Sequence, residues 1–139
     1  MEGEYNRINP ILHDRKFVFS ENRYGNYDVF LCDIDNGTME RITINEADQF
    51  VGGFDGRYIA WEDERRDPIN NTRDIYILDL ETGKEEMIKK DEGGLDLRFV
   101  DQGRVFFNYR SYDVGGKKGN FYIDIESRKQ IAISTNKPN

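Results

Sequence analysis

The chain offers few residues whose types and spacing could do chemistry. His13 is its only histidine and Cys32 its only cysteine. A hydrolytic triad needs a base beside a nucleophile and a third group that orients the base. His13 sits in a turn-like HDR stretch with no serine in a strained elbow nearby, and reads as a surface turn residue. Zinc sites draw on clusters of Cys and His, which one of each cannot form. Cys32 lies inside the apolar run VFLCDI and reads as a packing residue rather than a reactive thiol. Gly52-Gly53 and Gly115-Gly116 are turn glycines, and no GxxxxGK[ST] or GxGxxG phosphate loop is present. The oxygen-rich stretch Glu62, Asp63, Glu64, Asp67, Asn70 and Asn71 could chelate calcium. It lacks the EF-hand spacing and holds Arg65 and Arg66 in its middle, which predicts a solvated loop with internal ion pairs instead. Asn36 and Asn70 begin N-x-[ST] sequons, which matter only in an exported protein. The sequence therefore predicts no catalytic residue, no metal and no cofactor.

The elements that would position any site are far more legible. YDVFLCDIDNG (27–37), RDIYILDLETG (73–83) and NFYIDIESRK (120–129) repeat one phrase, in which apolar residues run into an aspartate, an acid and a turn. Its anchors, Asp33, Asp79 and Asp124, are 46 and then 45 residues apart, a period typical of propeller blades. Each unit resolves into four candidate strands, A to D. A is 8–13, 48–54 and 95–100; B is 16–23, 58–65 and 104–111, with Phe19, Trp61 and Phe107 in register. C is the phrase itself, and D is 39–44, 85–90 and 129–134 with Ile42 and Ile88 in register. Asp-Gly, Asn-Gly and Thr-Gly pairs supply turns between them. The units run approximately 8–44, 45–90 and 91–134, within a single domain. GEYNRI (3–8) aligns with GTMERI (37–42), so the chain begins with either a spare D strand or an unstructured leader.

Strand C carries apolar residues on both faces: Val29 and Leu31 against Phe30, Cys32 and Ile34, then Ile75 and Ile77 against Tyr76, Leu78 and Leu80. A sheet with one wet face would alternate apolar and polar residues. Each sheet must therefore be covered on both sides, as radially packed blades are. The expected fold is all-β: three four-stranded antiparallel blades, half of a six-bladed propeller.

DGRYIAW, DIYILDLETG, RITINEADQ and SENRYGNYDVFLCDI together resemble the TolB-type β-propeller repeat, particularly its variants on microbial surface proteins. The likeness covers nearly the whole chain and departs in unit three, where Gly119 replaces Asp28 and Asp74, and Arg128 replaces Gly37 and Gly83. The resemblance implies an extracytoplasmic or cell-surface setting and about twice as many blades as this chain holds. The start of the chain has neither the basic region nor the apolar core of a signal peptide, and no run of roughly 20 apolar residues suggests membrane insertion. A net charge of −7 disfavours nucleic acid.

Residues that recur with the blade, such as Arg23 with Arg65 and Asp28 with Asp74, read as construction, an Arg pairing with an Asp across the hairpin. Function is expected where the repeat breaks. The B–C and D–A loops emerge at one end and vary in length, so Arg66, Asp67, Tyr109, Tyr112, Lys117 and Lys118 become candidate binding residues, with Asp48 and Asp96 nearer the axis. The reading is a non-catalytic binding and assembly module with an unknown protein partner. Its terminal blades each leave an apolar face open, through Val29 and Leu31 or Phe30 and Ile34 at one end, and Phe121 and Ile123 or Tyr122 and Ile125 at the other. A second copy would close the ring as a homodimer. Two alternatives stand beside it: a propeller segment that gates or feeds a hydrolase or peptidase, and a small-ligand or glycan receptor using Tyr24, Tyr109 and Tyr112.

Overall fold

The computed structural model describes residues 5–110 and 119–133. They form twelve strands in three four-stranded antiparallel sheets, with no helix among the described residues. Blade 1 holds β1 (Arg7–His13), β2 (Lys16–Glu21), β3 (Asp28–Asp33) and β4 (Thr38–Arg41). Blade 2 holds β5 (Gln49–Phe54), β6 (Tyr58–Asp67), β7 (Thr72–Asp79) and β8 (Glu85–Lys89). Blade 3 holds β9 (Leu95–Asp101), β10 (Arg104–Tyr109), β11 (Asn120–Asp124) and β12 (Gln130–Ile133). Spatial order follows chain order in each sheet, so every C strand is second from the outside, as the repeat predicts.

The register is the one read from the sequence. Phe19 pairs with Phe30, Trp61 with Tyr76 and Phe107 with Phe121, each three residues before the anchoring aspartate. Arg128 is the notable turn residue. It takes the left-handed conformation (φ 64°) that Gly37 (φ 64°) and Gly83 (φ 75°) hold in the other two C–D turns. Its N–H donates to the Asp124 carbonyl just as that of Gly83 does to Asp79, so the third turn keeps its geometry despite losing the glycine.

Two apolar clusters join the blades. Val18 and Val29 of blade 1, with Ile11 and Leu31, pack on Val51, Phe54, Ile59 and Trp61 of blade 2. Ala60, Ile75 and Ile77 on the other side of blade 2 pack on Leu95, Val105, Phe107, Phe121 and Ile123 of blade 3. The two faces of strand C thus serve two different neighbours. The A strands approach one another most closely and lie innermost: Asn9 Nδ2 donates to the Val51 carbonyl, and Gly53 abuts Val100. The D strands are outermost, and β12 (QIAI) is exposed along its whole length.

The register decides between the alternatives left open for the start of the chain and for the terminal faces. Arg7 and Ile8 pair with Glu21 and Ser20 as the start of β1, and so belong to an A strand rather than to a spare D strand. Val29, Leu31, Phe121 and Ile123 are turned into the blade junctions, which leaves Phe30 and Ile34 on the outer face of blade 1 and Tyr122 on that of blade 3; Ile125, expected beside Tyr122, is buried with Ile123 instead. The outer face of blade 1 is not bare, because Phe19 and Phe30 lie beneath the guanidiniums of Arg7 and Arg23, and Tyr24 stacks on Phe30. The exposed apolar residues there are Leu12, Ile34 and Met39.

A Cβ added at Gly53 would lie 2.4 Å from Val100 Cγ2 and 2.9 Å from the Val100 backbone nitrogen. Backbone cannot step aside as a flexible side chain can. Gly53→Ala should therefore destabilise the fold by about 1–3 kcal/mol through overpacking, measured as a lower midpoint in urea at unchanged slope.

Candidate functional site

The B–C and D–A loops gather at one end of the blades and are bonded to each other. In blade 1, the Asn26 amide donates to the carbonyls of Asn45 and Ala47 and to Asp28, while Tyr27 N–H donates to Asp48 Oδ1. Between blades 2 and 3 the organiser is Asp91. Its Oδ1 accepts from the N–H groups of Gly93, Gly94 and Leu95, and its Oδ2 from Arg73 N–H. An aspartate folded back on its own backbone before a Gly-Gly pair is a turn device. Asn70, Asn71, Thr72, the Asp91–Gly94 turn and Arg110 frame an open cleft of about 470 Å³ at this end.

Beneath the loops lies a layer of buried acids. Asp28, Asp63 and Asp74 are fully buried, and Glu64 nearly so. Such charges persist only when paired and hydrogen-bonded. Arg41 clamps Asp28 through Nε and Nη2 (3.1 and 2.8 Å). Arg66 clamps Asp74 through the same two nitrogens (2.8 and 2.9 Å), and its Nη2 also reaches the Asp91 carbonyl. Arg65 and the Trp61 indole share Asp63, while Arg73 spans Glu62 and Glu64. Of the stretch read as a solvated loop with internal ion pairs, residues 62–67 belong to strand β6 while Asn70 and Asn71 lie in the exposed turn; the ion pairs are present, on carboxylates that are mostly buried. No group of three or more Asp, Glu, His or Cys poised for a metal occurs among the described residues.

The recurring Arg and Asp residues are blade construction, but not paired as expected. Arg23 and Arg65 bond the acid two residues back on their own strand, Glu21 and Asp63. Asp28 and Asp74 instead take Arg41 and Arg66, which come from different places in their units. Burial pushes Glu21 up, yet the Arg23 and Arg7 guanidiniums outweigh it and hold the carboxyl below its ordinary range. For Asp28 and Glu62 burial wins, and both are raised despite Arg41 in one case and the Leu97 N–H and Arg73 in the other.

The candidate residues separate under this geometry. Arg66 is held by Asp74, and Asp67 is occupied by the Asn70 backbone and amide. Asp48 caps Tyr27, and Asp96 pairs with Arg110 at 3.2 Å. Tyr109 is buried edge-on to Phe107 and Phe121 and belongs to the core rather than the surface. It stands where the other blades carry Glu21 and Asp63, opposite Gly119 rather than an aspartate, so its ring fills the space of the missing acid pair. Tyr112, Lys117 and Lys118 lie outside the described residues. Tyr24 is exposed under Arg41, 4.1 Å from its guanidinium carbon to the ring centroid. His13 lies at the opposite end, edge-on to Phe54. Cys32 is half-buried on the outer face of blade 1, and burial pushes its thiol up. Asp91 and Asn26 were missed by the sequence reading; the DEGG run is the signal that marks the first.

No protein-family model matches the chain. A TolB homolog of Chlorobaculum tepidum is 30% identical over 77 residues, which is 54% of this chain and 17% of that protein. A protein described as TolB from Agrobacterium tumefaciens superposes with a TM-score of 0.65 at 19% identity, covering 88% of this chain and 43% of its own. TolB from Acinetobacter baumannii superposes at 0.62 with 20% identity, covering 87% of this chain and 30% of its own. The three sheets have the fold of the β-propeller blades in these TolB structures. This chain carries three propeller blades and spans less than half the length of each of these similar proteins.

Two outcomes follow from the buried acids of these blades. Arg66→Ala leaves Asp74 buried with only the Asp91 N–H, and should cost about 1–3 kcal/mol of stability in denaturant titration. The second concerns pH. Because Glu62 is raised, the folded chain takes up a proton where the unfolded chain still holds a carboxylate, so this group's contribution falls as pH rises through that window. Glu62→Gln keeps an acceptor for Leu97 N–H without the buried charge. Its melting temperature relative to the parent should therefore shift upward between pH 4 and pH 7.

Proposed function

We propose that the chain is a non-catalytic binding and assembly module, a propeller scaffold that engages a protein partner through the B–C and D–A loop end. The observation that carries this reading is the asymmetry of the two ends. The described connections at the loop end, 22–27, 42–48, 68–71 and 90–94, are unequal and are bonded to one another through Asp91 and Asn26 around an open cleft. The other end consists of short turns tied down locally, as where Arg57 clamps Asp79 through two nitrogens (3.1 and 3.0 Å) and lowers it to about 2. Ordering extra loop residues costs conformational entropy that a mere connection need not bear.

The binding surface in this proposal comprises the exposed rim of the cleft, Asn70, Asn71 and Arg110, together with Tyr112, Lys117 and Lys118. Arg66, Asp67 and Asp96 support it through their bonds to the Asp91 carbonyl, Asn70 and Arg110, while Asp48 holds the blade 1 loop through Tyr27 N–H. An extracytoplasmic setting and completion of the ring by a second copy belong to the same reading. Light scattering on a sizing column tests the pairing: a chain of 16.4 kDa should elute at about twice that mass at micromolar concentration, and a folded monomer would refute it. For partner binding, substitution of Arg110 or Lys117 should weaken capture while Asp55→Ala and Glu81→Ala leave it intact. The reverse pattern would assign binding to the other end.

A further inference from the structure

The two blade junctions inside the chain share a polar contact that the apolar clusters do not reveal. Ser20 and Glu62 hold the same position in successive B strands, one residue beyond Phe19 and Trp61. Each accepts a backbone N–H from the innermost strand of the next blade: Val51 to Ser20 Oγ at 2.8 Å, and Leu97 to Glu62 Oε2 at 2.9 Å. Both donors sit at the register shift that interrupts the A strand, two residues before Gly53 and Phe99. The third residue of the series is Asn108, one beyond Phe107. Its Oδ1 is buried and has no hydrogen-bond partner among the described residues. A buried acceptor left unpaired is costly, and here it faces outward from blade 3, where the next blade would stand.

Apolar exposure is matched at the same junction. Inside the chain, Gly53 abuts Val100, and the residues equivalent to these, Ile11 and Phe54, share the other cluster. The next pair in the series is Phe99 of blade 3 with Leu12 of blade 1, which are 50% and 68% exposed. Phe106 and Tyr122 are bulkier than Ala60 and Ile77, which they replace on this face. On the outer face of blade 1, Cys32 is smaller than its counterparts Leu78 and Ile123. The Arg23 layer on that face is no obstacle, since Arg65 forms the same layer on Tyr76 where blade 2 meets blade 1.

Resting on the pairing reading above, we infer that Asn108 is an inter-blade acceptor for a second copy of this chain, whose β1 seats on blade 3. The Asn9 N–H of that copy, at the register shift of β1 and two residues before Ile11, takes the place of Val51 and Leu97. Leu12 of that copy covers Phe99. The contact is heterologous, and two such contacts related by a two-fold axis close the ring.

Cross-linking separates this docking from pairing in general. In a Cys32→Ser background, Leu12→Cys and Phe99→Cys proteins are purified separately and oxidised alone or mixed. A covalent dimer only in the mixture is the expected result. Cross-linking of Phe99→Cys alone means the faces pair with themselves, which overturns the docking. A pair of about 33 kDa by light scattering with no mixture-specific cross-link also overturns it while leaving pairing intact, and a monomer throughout overturns both. By sedimentation equilibrium, Asn108→Leu should weaken the pair about tenfold, whereas Asn108→Ser, a hydroxyl acceptor like Ser20, should hold it near the parent value. Equal affinities for the two variants would remove Asn108 from the interface.

Discussion

A β-sheet that is apolar on both faces cannot stand alone in water, and almost everything else in this chain answers to that constraint. Blade 2 satisfies it completely: Trp61 and Ile59 on one face meet blade 1, and Ala60, Ile75 and Ile77 on the other meet blade 3. Burial of fully apolar side chains is worth roughly 1.5–3 kcal/mol each, so the two junctions outweigh any single polar contact. The hydrophobic term sets no direction of its own. Direction comes from the bonds threaded through each junction, where a B-strand side chain grips the backbone of the following A strand.

The layer of acids under the loops obeys a second rule. Each buried carboxylate has found a guanidinium, yet the blades recruit that guanidinium from different segments, the D strand in blade 1 and the end of the B strand in blade 2. What the repeat conserves between its own units is the buried acid, and the source of its partner drifts. Blade 3 shows the remaining solution, in which the acid pair disappears and an aromatic ring takes up the volume.

Local pattern carried most of the architecture. The spacing of Asp33, Asp79 and Asp124 and the alignment of Phe19, Trp61 and Phe107 gave the strand order and register, because both depend on period and turn chemistry alone. The two-faced C strands foretold stacking for the same reason. The site was far less legible. Whether Arg66 points to solvent or to Asp74 depends on where a D–A loop 25 residues away comes to rest, and composition holds no trace of that. Tyr109 misled because its neighbours in sequence are polar, whereas its burial follows from a missing side chain at Gly119 on the partner strand. The short β1 extension at Arg7 and Ile8 misled in the opposite way, since a chance Arg-Ile matched a D strand better than an A strand.

The outermost strands differ in one respect with a bearing beyond the native fold. β4 (TMER) and β8 (EEMIK) carry charges along their free edges, the usual guard against stray strand pairing. β12 (QIAI) carries none, and both its isoleucines are exposed. At high concentration, or when the chain is partly unfolded, this is a seam along which sheets from separate molecules would extend into one another.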